Sequence, residues 1–149
     1  MHSTTTRPDP RETALPVITE LDAARIRELP ARLPDRGQGI PSLPRLLELV
    51  MTEAEIVPSA SVASNIVTVN STVTFRDELT ETEHTATIVY PQEAAPSERR
   101  ISVLSPMGMA LIGRRVGAVS ECAMPDGTLR AIRLLELHYQ PEAAGDIGR

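Results

Sequence analysis

Few residues in this chain combine the type and spacing that chemistry requires. The stretch Ser105 to Gly117, SPMGMALIGRRVG, sets Arg114 and Arg115 between Gly113 and Gly117, a pattern close enough to a phosphate-binding loop to be tested first. A dinucleotide fingerprint needs G-x-G-x-x-G between a strand and a long helix, and a Walker loop needs Gly-Lys-Ser/Thr. Here the glycines follow a short helix, so they read as a helix stop and a tight turn. The 15 cationic side chains are all Arg, which removes both a phosphate-loop lysine and Schiff-base chemistry. His84 and His138 fall on predicted strands with no second His, Cys or carboxylate at a ligand spacing, so no metal site is expected. Cys122 stands alone on a predicted strand and reads as a small buried hydrophobe. Ser105 lacks a G-x-S-x-G elbow. Glu78, Glu81 and Glu83 surround a hairpin tip, where a charged run faces water. No catalytic residue and no cofactor are expected, which points to a binding or regulatory protein.

Composition narrows the partners. The 149 residues carry a net charge of −5, whereas duplex DNA calls for a basic face. Phe75, Tyr90 and Tyr139 are the only aromatic residues, too few for a platform that stacks single-stranded bases. Direct base-specific readout is therefore not expected. One cysteine permits no intramolecular disulfide, and a reducing, cytoplasmic location is the natural reading. No stretch approaches the roughly 20 apolar residues of a membrane span, and no signal peptide is recognised.

The elements that must position these residues follow from periodicity. Residues 1–16 read as a polar, disordered leader. Thr19 and Asp22 resemble a capping box, opening a short helix through Leu21, Arg25, Ile26 and Leu29. Pro30 is expected to stop it near Leu29, at a length of about 15 Å. Residues 33–42, LPDRGQGIPS, read as a loop. Ser42 then caps a second helix whose Leu43, Leu46, Leu47, Val50, Met51 and Ala54 form one apolar stripe. Together, residues 17–57 are expected to make a short antiparallel helical hairpin, with a boundary in residues 57–65. From Ile66 the period falls to two: Val67 and Val69, Val73 and Phe75, then Ala86, Ile88 and Tyr90 predict strands. Ile101 and Val103 start another. Ser105 caps a short helix with Pro106 in its first turn and Gly113 at its end. Strands near 119–124 and 128–139 flank the PDG turn at 125–127. Residues 141–149 read as a flexible tail. The fold class is α+β, a helical hairpin followed by a mostly antiparallel sheet domain over 66–140 with one short helix.

Five segments carry a resemblance: VTVNSTVTFRD (67–77), TIVYP (87–91), SVLSPMGMALIGRRVGAV (102–119), PDGT (125–128) and LLELHYQPEAAGD (134–146). They resemble the GreA/GreB family of RNA polymerase-binding factors, with residues 139–146 similar to its branch of nucleoside diphosphate kinase regulators. The likeness spans roughly residues 17–146. It implies an FKBP-like C-terminal domain that docks at the rim of the polymerase secondary channel, and a hairpin directed into that channel. In the cleavage factors of this family, an acidic pair at the hairpin tip helps hold a catalytic Mg²⁺, which requires convergent hard oxygen ligands. This loop has Asp35, followed directly by Arg36, and no second acid. Polymerase binding without transcript cleavage is therefore expected. FKBP-like topology also raises prolyl isomerase activity, but such sites are lined with aromatic rings that this chain lacks.

The resemblance thus implies a non-enzymatic transcription regulator that binds RNA polymerase, competes with other secondary-channel factors and influences nucleoside diphosphate kinase levels. The alternative is a direct protein partner of that kinase or of another metabolic enzyme. Met107, Arg114 and Arg115 are the candidate docking residues, with Met107 an adaptable contact. Met109, Leu111 and Ile112 read as core. Asp35 is the candidate at the hairpin tip.

Overall fold

The computed structural model describes residues 15–32, 47–124 and 127–146. The fold is mixed α+β, with a curled five-stranded sheet and few helices. The chain enters as β1 (Val17–Thr19) and turns directly into α1 (Glu20–Arg32). The Thr19 Oγ1 accepts the Asp22 amide at 3.1 Å, the N-cap bond expected from the sequence. The helix does not stop at Leu29 but runs through Pro30 to Arg32. A proline in the last turn forfeits one main-chain bond and leaves the rest of the helix intact.

Residues 33–46, including the tip loop with Asp35, lie outside the described residues, and the antiparallel relation of two helices rests on them. On the far side the chain forms a π-helical turn, Leu49–Glu53, and then β2 (Glu55–Val57). Its wider winding breaks the phase of the expected apolar stripe: Val50 is buried, but Met51 is 66% exposed. β1 and β2 pair in parallel, Ile18 opposite Ile56, a pairing that no local pattern announced.

The main sheet contains β3 (Thr72–Asp77), β4 (Thr82–Val89), β5 (Arg100–Ser102), β6 (Val119–Ala123) and β7 (Leu129–Tyr139), in the order β5-β4-β3-β7-β6. All neighbours are antiparallel except β4 and β5. β3 shows the alternation expected of a sheet with one solvated face: Val73, Phe75 and Asp77 point inward, while Thr72, Thr74 and Arg76 lie on the more open face. Hydroxyl pairs tie that outer face together, Thr72 to Thr87 at 2.8 Å and Thr74 to Thr85 at 2.7 Å.

Two expectations are corrected here. Residues 66–69 alternate in type but are all buried, and they form no strand. Their main chain is taken by other partners: Val67 exchanges bonds with Arg114 and Gly113, and the Thr68 amide bonds the Ser71 hydroxyl. The described part of the expected tail, residues 141–146, follows an anchored residue. Gln140 caps α3 (Pro141–Ala144), and its side-chain amide donates to the carbonyls of Ala63 and Ile66, both at 2.8 Å.

One apolar core joins these parts. Ala23, Ile26 and Leu29 of α1 pack with Val73, Phe75, Ile88, Ile132 and Leu134 of the sheet and with Leu111 and Ile112.

Candidate docking surface and the junction behind it

The segment singled out by its glycines forms α2 (Pro106–Leu111), bracketed by two tight turns. Ser105 opens it. The Ser105 Oγ accepts the Gly108 amide at 3.0 Å and donates to the Ser102 carbonyl at 2.6 Å. Pro106 occupies the first turn, where its missing N–H costs nothing. Gly113 follows with φ +80°, and a Cβ there would lie 2.7 Å from the Pro16 side chain. Its carbonyl accepts the Val17 amide at 3.1 Å. Gly113 is thus a helix stop in contact with the root of β1, and no phosphate loop is built around it.

Met107, Arg114 and Arg115 are all half-buried. Met107 packs against the core from the first turn of α2, while the two arginines follow its C-terminal end. A six-residue helix rises about 9 Å, so the three do not form one compact cluster. Arg115 also forms an isolated bridge with Ile66. Met109 is half-buried, and Leu111 and Ile112 are fully buried, so these last two belong to the core as the sequence suggests. Asp35 is outside the described residues.

The remaining sequence candidates are distributed rather than convergent. His84 and His138 are exposed on β4 and β7, hydrogen-bonded to Thr82 and Thr74. Cys122 is buried on β6, and burial, aided by the Asp77 charge, raises its thiol pKa. Glu78 pairs with Arg76 and Arg133, and Glu81 with Arg76. Burial would raise the Asp77 pKa, but the amides of Leu79 and Thr80 and the Arg130 guanidinium outweigh it and hold the carboxyl below its ordinary value. Among the described residues no group of three or more His, Cys, Asp or Glu could hold a metal ion. Phe75 and Tyr90 are buried, and the Tyr139 hydroxyl donates to Asp146, so the three rings do not line a shared surface.

The most unusual chemistry lies at the start of α1, where the sequence suggests only a helix cap. Asp22 is 4% exposed. Its Oδ1 accepts the Tyr90 hydroxyl at 2.7 Å, and its Oδ2 accepts the Val69 amide at 3.1 Å. The Arg25 guanidinium lies 5.7 Å above the Tyr90 ring, within cation–π range. Glu142 of α3, which accepts the Thr68 hydroxyl at 2.7 Å, adds a second negative charge nearby. Burial dominates and raises the Asp22 pKa, with the Tyr90 and Val69 bonds opposing it and Glu142 reinforcing it. The same burial, together with the Asp22 charge, pushes the Tyr90 phenol up. A signal was present: Asp22, Ile26 and Leu29 follow at i, i+4 and i+7, so the acid sits on the apolar stripe of its own helix.

This raised pKa has a definite sign. A carboxyl that holds its proton more tightly in the fold than in the unfolded chain contributes stability fully below the ordinary value near pH 4. That contribution is lost as pH rises through the raised value. The melting-temperature difference between the parent chain and Asp22→Asn is expected to fall as pH is raised from 4 to 7. A difference independent of pH would count against the assignment.

Comparison with known proteins is consistent with this architecture. The family described as "Transcription elongation factor, GreA/GreB, C-term" matches residues 62–139. Proteins named "Regulator of nucleoside diphosphate kinase" from Escherichia coli strain K12 and from Shigella flexneri are each 36% identical over 133 residues, covering 87% of this chain and 93% of theirs. Among solved structures, a "Prokaryotic transcription elongation factor GreA/GreB from Nitrosomonas europaea" is 33% identical with a TM-score of 0.67, covering 85% of this chain and all of that one. Its likeness supports the mixed fold across most of the length.

Proposed function

The chain belongs to the GreA/GreB family of transcription elongation factors, and from that premise we propose that it is a non-enzymatic regulator that docks on RNA polymerase near the secondary channel. The observation that carries this reading is the family match over residues 62–139, continued by 36% identity to named regulators along nearly the whole chain. The sheet domain, read as FKBP-like over 66–140, supplies the docking surface, and residues 17–57 supply the helical arm. Met107, Arg114 and Arg115 are its proposed contacts and compete with other secondary-channel factors for one site. Transcript cleavage is not stimulated, because residues 33–42 contain Asp35 as their single acid and a Mg²⁺ site needs several oxygen ligands. The effect on nucleoside diphosphate kinase is then an effect on its level. The location is cytoplasmic, consistent with the absence, among the described residues, of any helix long and apolar enough to cross a membrane.

A second reading is favoured by the names of the relatives: direct binding to nucleoside diphosphate kinase. Capture from a bacterial lysate separates the two, since polymerase subunits in the bound fraction support docking and the kinase alone supports the second reading. Purified polymerase in stalled elongation complexes supplies the other arm, where Mg²⁺-dependent RNA cleavage should stay at its unassisted rate. Reversing both charges, Arg114→Glu with Arg115→Glu, is expected to weaken polymerase binding about tenfold or more, in line with the cost of opposed charges at an interface. Unchanged affinity would remove the pair from the site.

A further inference from the structure

Three features tie the root of α1 to the sheet, and they differ in what they can specify. The β1–β2 pairing and the Val17–Gly113 bond hold the chain just before the helix. The apolar contacts of Ala23, Ile26 and Leu29 choose which face points inward, but apolar attraction is non-directional and tolerates sliding and rotation. Asp22 differs from both. Its two carboxylate oxygens take donors from separate segments, Tyr90 at the end of β4 and Val69 in the loop before β3. A rotation of the helix about its axis lengthens at least one of these bonds, and hydrogen bonds weaken steeply off geometry. Burying a carboxylate is costly compared with burying an apolar side chain of similar volume, so the group is a poor choice for stability alone.

We propose that Asp22 is a positioning residue that clamps Tyr90 and the Val69 amide together, setting the angle at which α1 leaves the sheet and hence the direction in which that helix is presented to a partner. The consequence for competition at the polymerase rests on the function proposed above; the clamp itself does not. Glu142 of α3 backs the same joint by accepting the Thr68 hydroxyl, so the C-terminal segment braces the loop that carries Val69.

The test uses the full chain with Cys122→Ala and nitroxide labels at two exposed positions, Arg27→Cys on α1 and Glu83→Cys on β4. The distance distribution between labels is measured well below the melting temperature, with Asp22→Ala as the strong variant. Tyr90→Phe, which removes one hydroxyl, serves as the mild variant that retains its ring. A narrow distribution in the parent that broadens in Tyr90→Phe, with far-ultraviolet circular dichroism unchanged, supports the clamp. A merely structural role would lower the melting temperature but leave the folded distribution narrow, and that result overturns the proposal.

The functional arm measures displacement of a GreA/GreB cleavage factor from polymerase, read as loss of its stimulated RNA cleavage. If the freed helix holds the parent orientation about one time in ten, the concentration for half displacement rises about tenfold. Failure of the parent chain to bind polymerase at all would refute the proposed function while leaving the distance measurement to decide the clamp.

Discussion

Gly108→Ala is expected to destabilise the fold by about 4 kcal/mol or more, above the roughly 1–3 kcal/mol usual for overpacking, because the neighbours it meets cannot move aside. An added Cβ would lie 2.1 Å from the Ser102 carbonyl oxygen and 2.9 Å from the Val103 Cα. Both are main-chain atoms, so no rotamer change relieves the overlap. Nor can that strand retreat. The Ser102 carbonyl accepts both the Ser105 amide at 2.9 Å and the Ser105 hydroxyl, and the Val103 amide donates to Val89 at 2.7 Å. The backbone must therefore shift where α2 meets β5, breaking the N-cap or the strand pairing. For a chain of this size, 1 kcal/mol corresponds to about 2–4 °C, so the melting temperature should drop by about 10 °C or more, if the variant folds at all. Ala110→Gly, in the same helix, should cost only about 1 kcal/mol of helix propensity plus a lost methyl contact. Equal effects in the two variants would show that close approach at Gly108 is not what the fold depends on.

Asp22→Ala carries the second large effect. It leaves the Tyr90 hydroxyl and the Val69 amide buried without their acceptor, at about 1–3 kcal/mol each, so a total of about 3–5 kcal/mol is expected from thermal or denaturant unfolding. The Asp22 carboxyl is itself an expensive group to bury, and its removal returns part of that cost, which is why the figure stays below the sum of the extremes. Tyr90→Phe should cost less, about 1–2 kcal/mol, because one oxygen of the carboxylate remains engaged with Val69. A double-mutant cycle then isolates the pair: the losses should be clearly non-additive, since either change removes the same bond. Additive losses would mean that Asp22 and Tyr90 act independently.

Much of the architecture was legible because it is written in short-range chemistry. Ser105 with Pro106, and Gly113 as a stop, are local signals, and the helix between them forms where they say. The alternation in β3 and β4 is equally local, and the two strands expected near 119–124 and 128–139 pair antiparallel as β6 and β7. The same reasoning failed where the deciding partner is distant in sequence. Val67 and Val69 alternate like a strand, yet their amides bond to Arg114 and Asp22. Residues 141–146 are polar enough to fray, but Gln140 reaches back more than seventy positions to Ala63 and Ile66.

What the sequence alone determined is the class: an acidic, lysine-free α+β chain with motifs that place it in its family. Caps, turns and period-two alternation are properties of a few consecutive residues, so they survive without knowledge of the fold. Tertiary structure alone decided the parallel pairing of β1 with β2, the contact of Gly108 with the Ser102 carbonyl, and the burial of Asp22. Each depends on which distant atoms arrive within 3 Å, and composition does not encode that. A carboxylate three residues after a threonine reads as a helix cap until Tyr90 and Val69 are brought to it; only then does it become the clamp between helix and sheet.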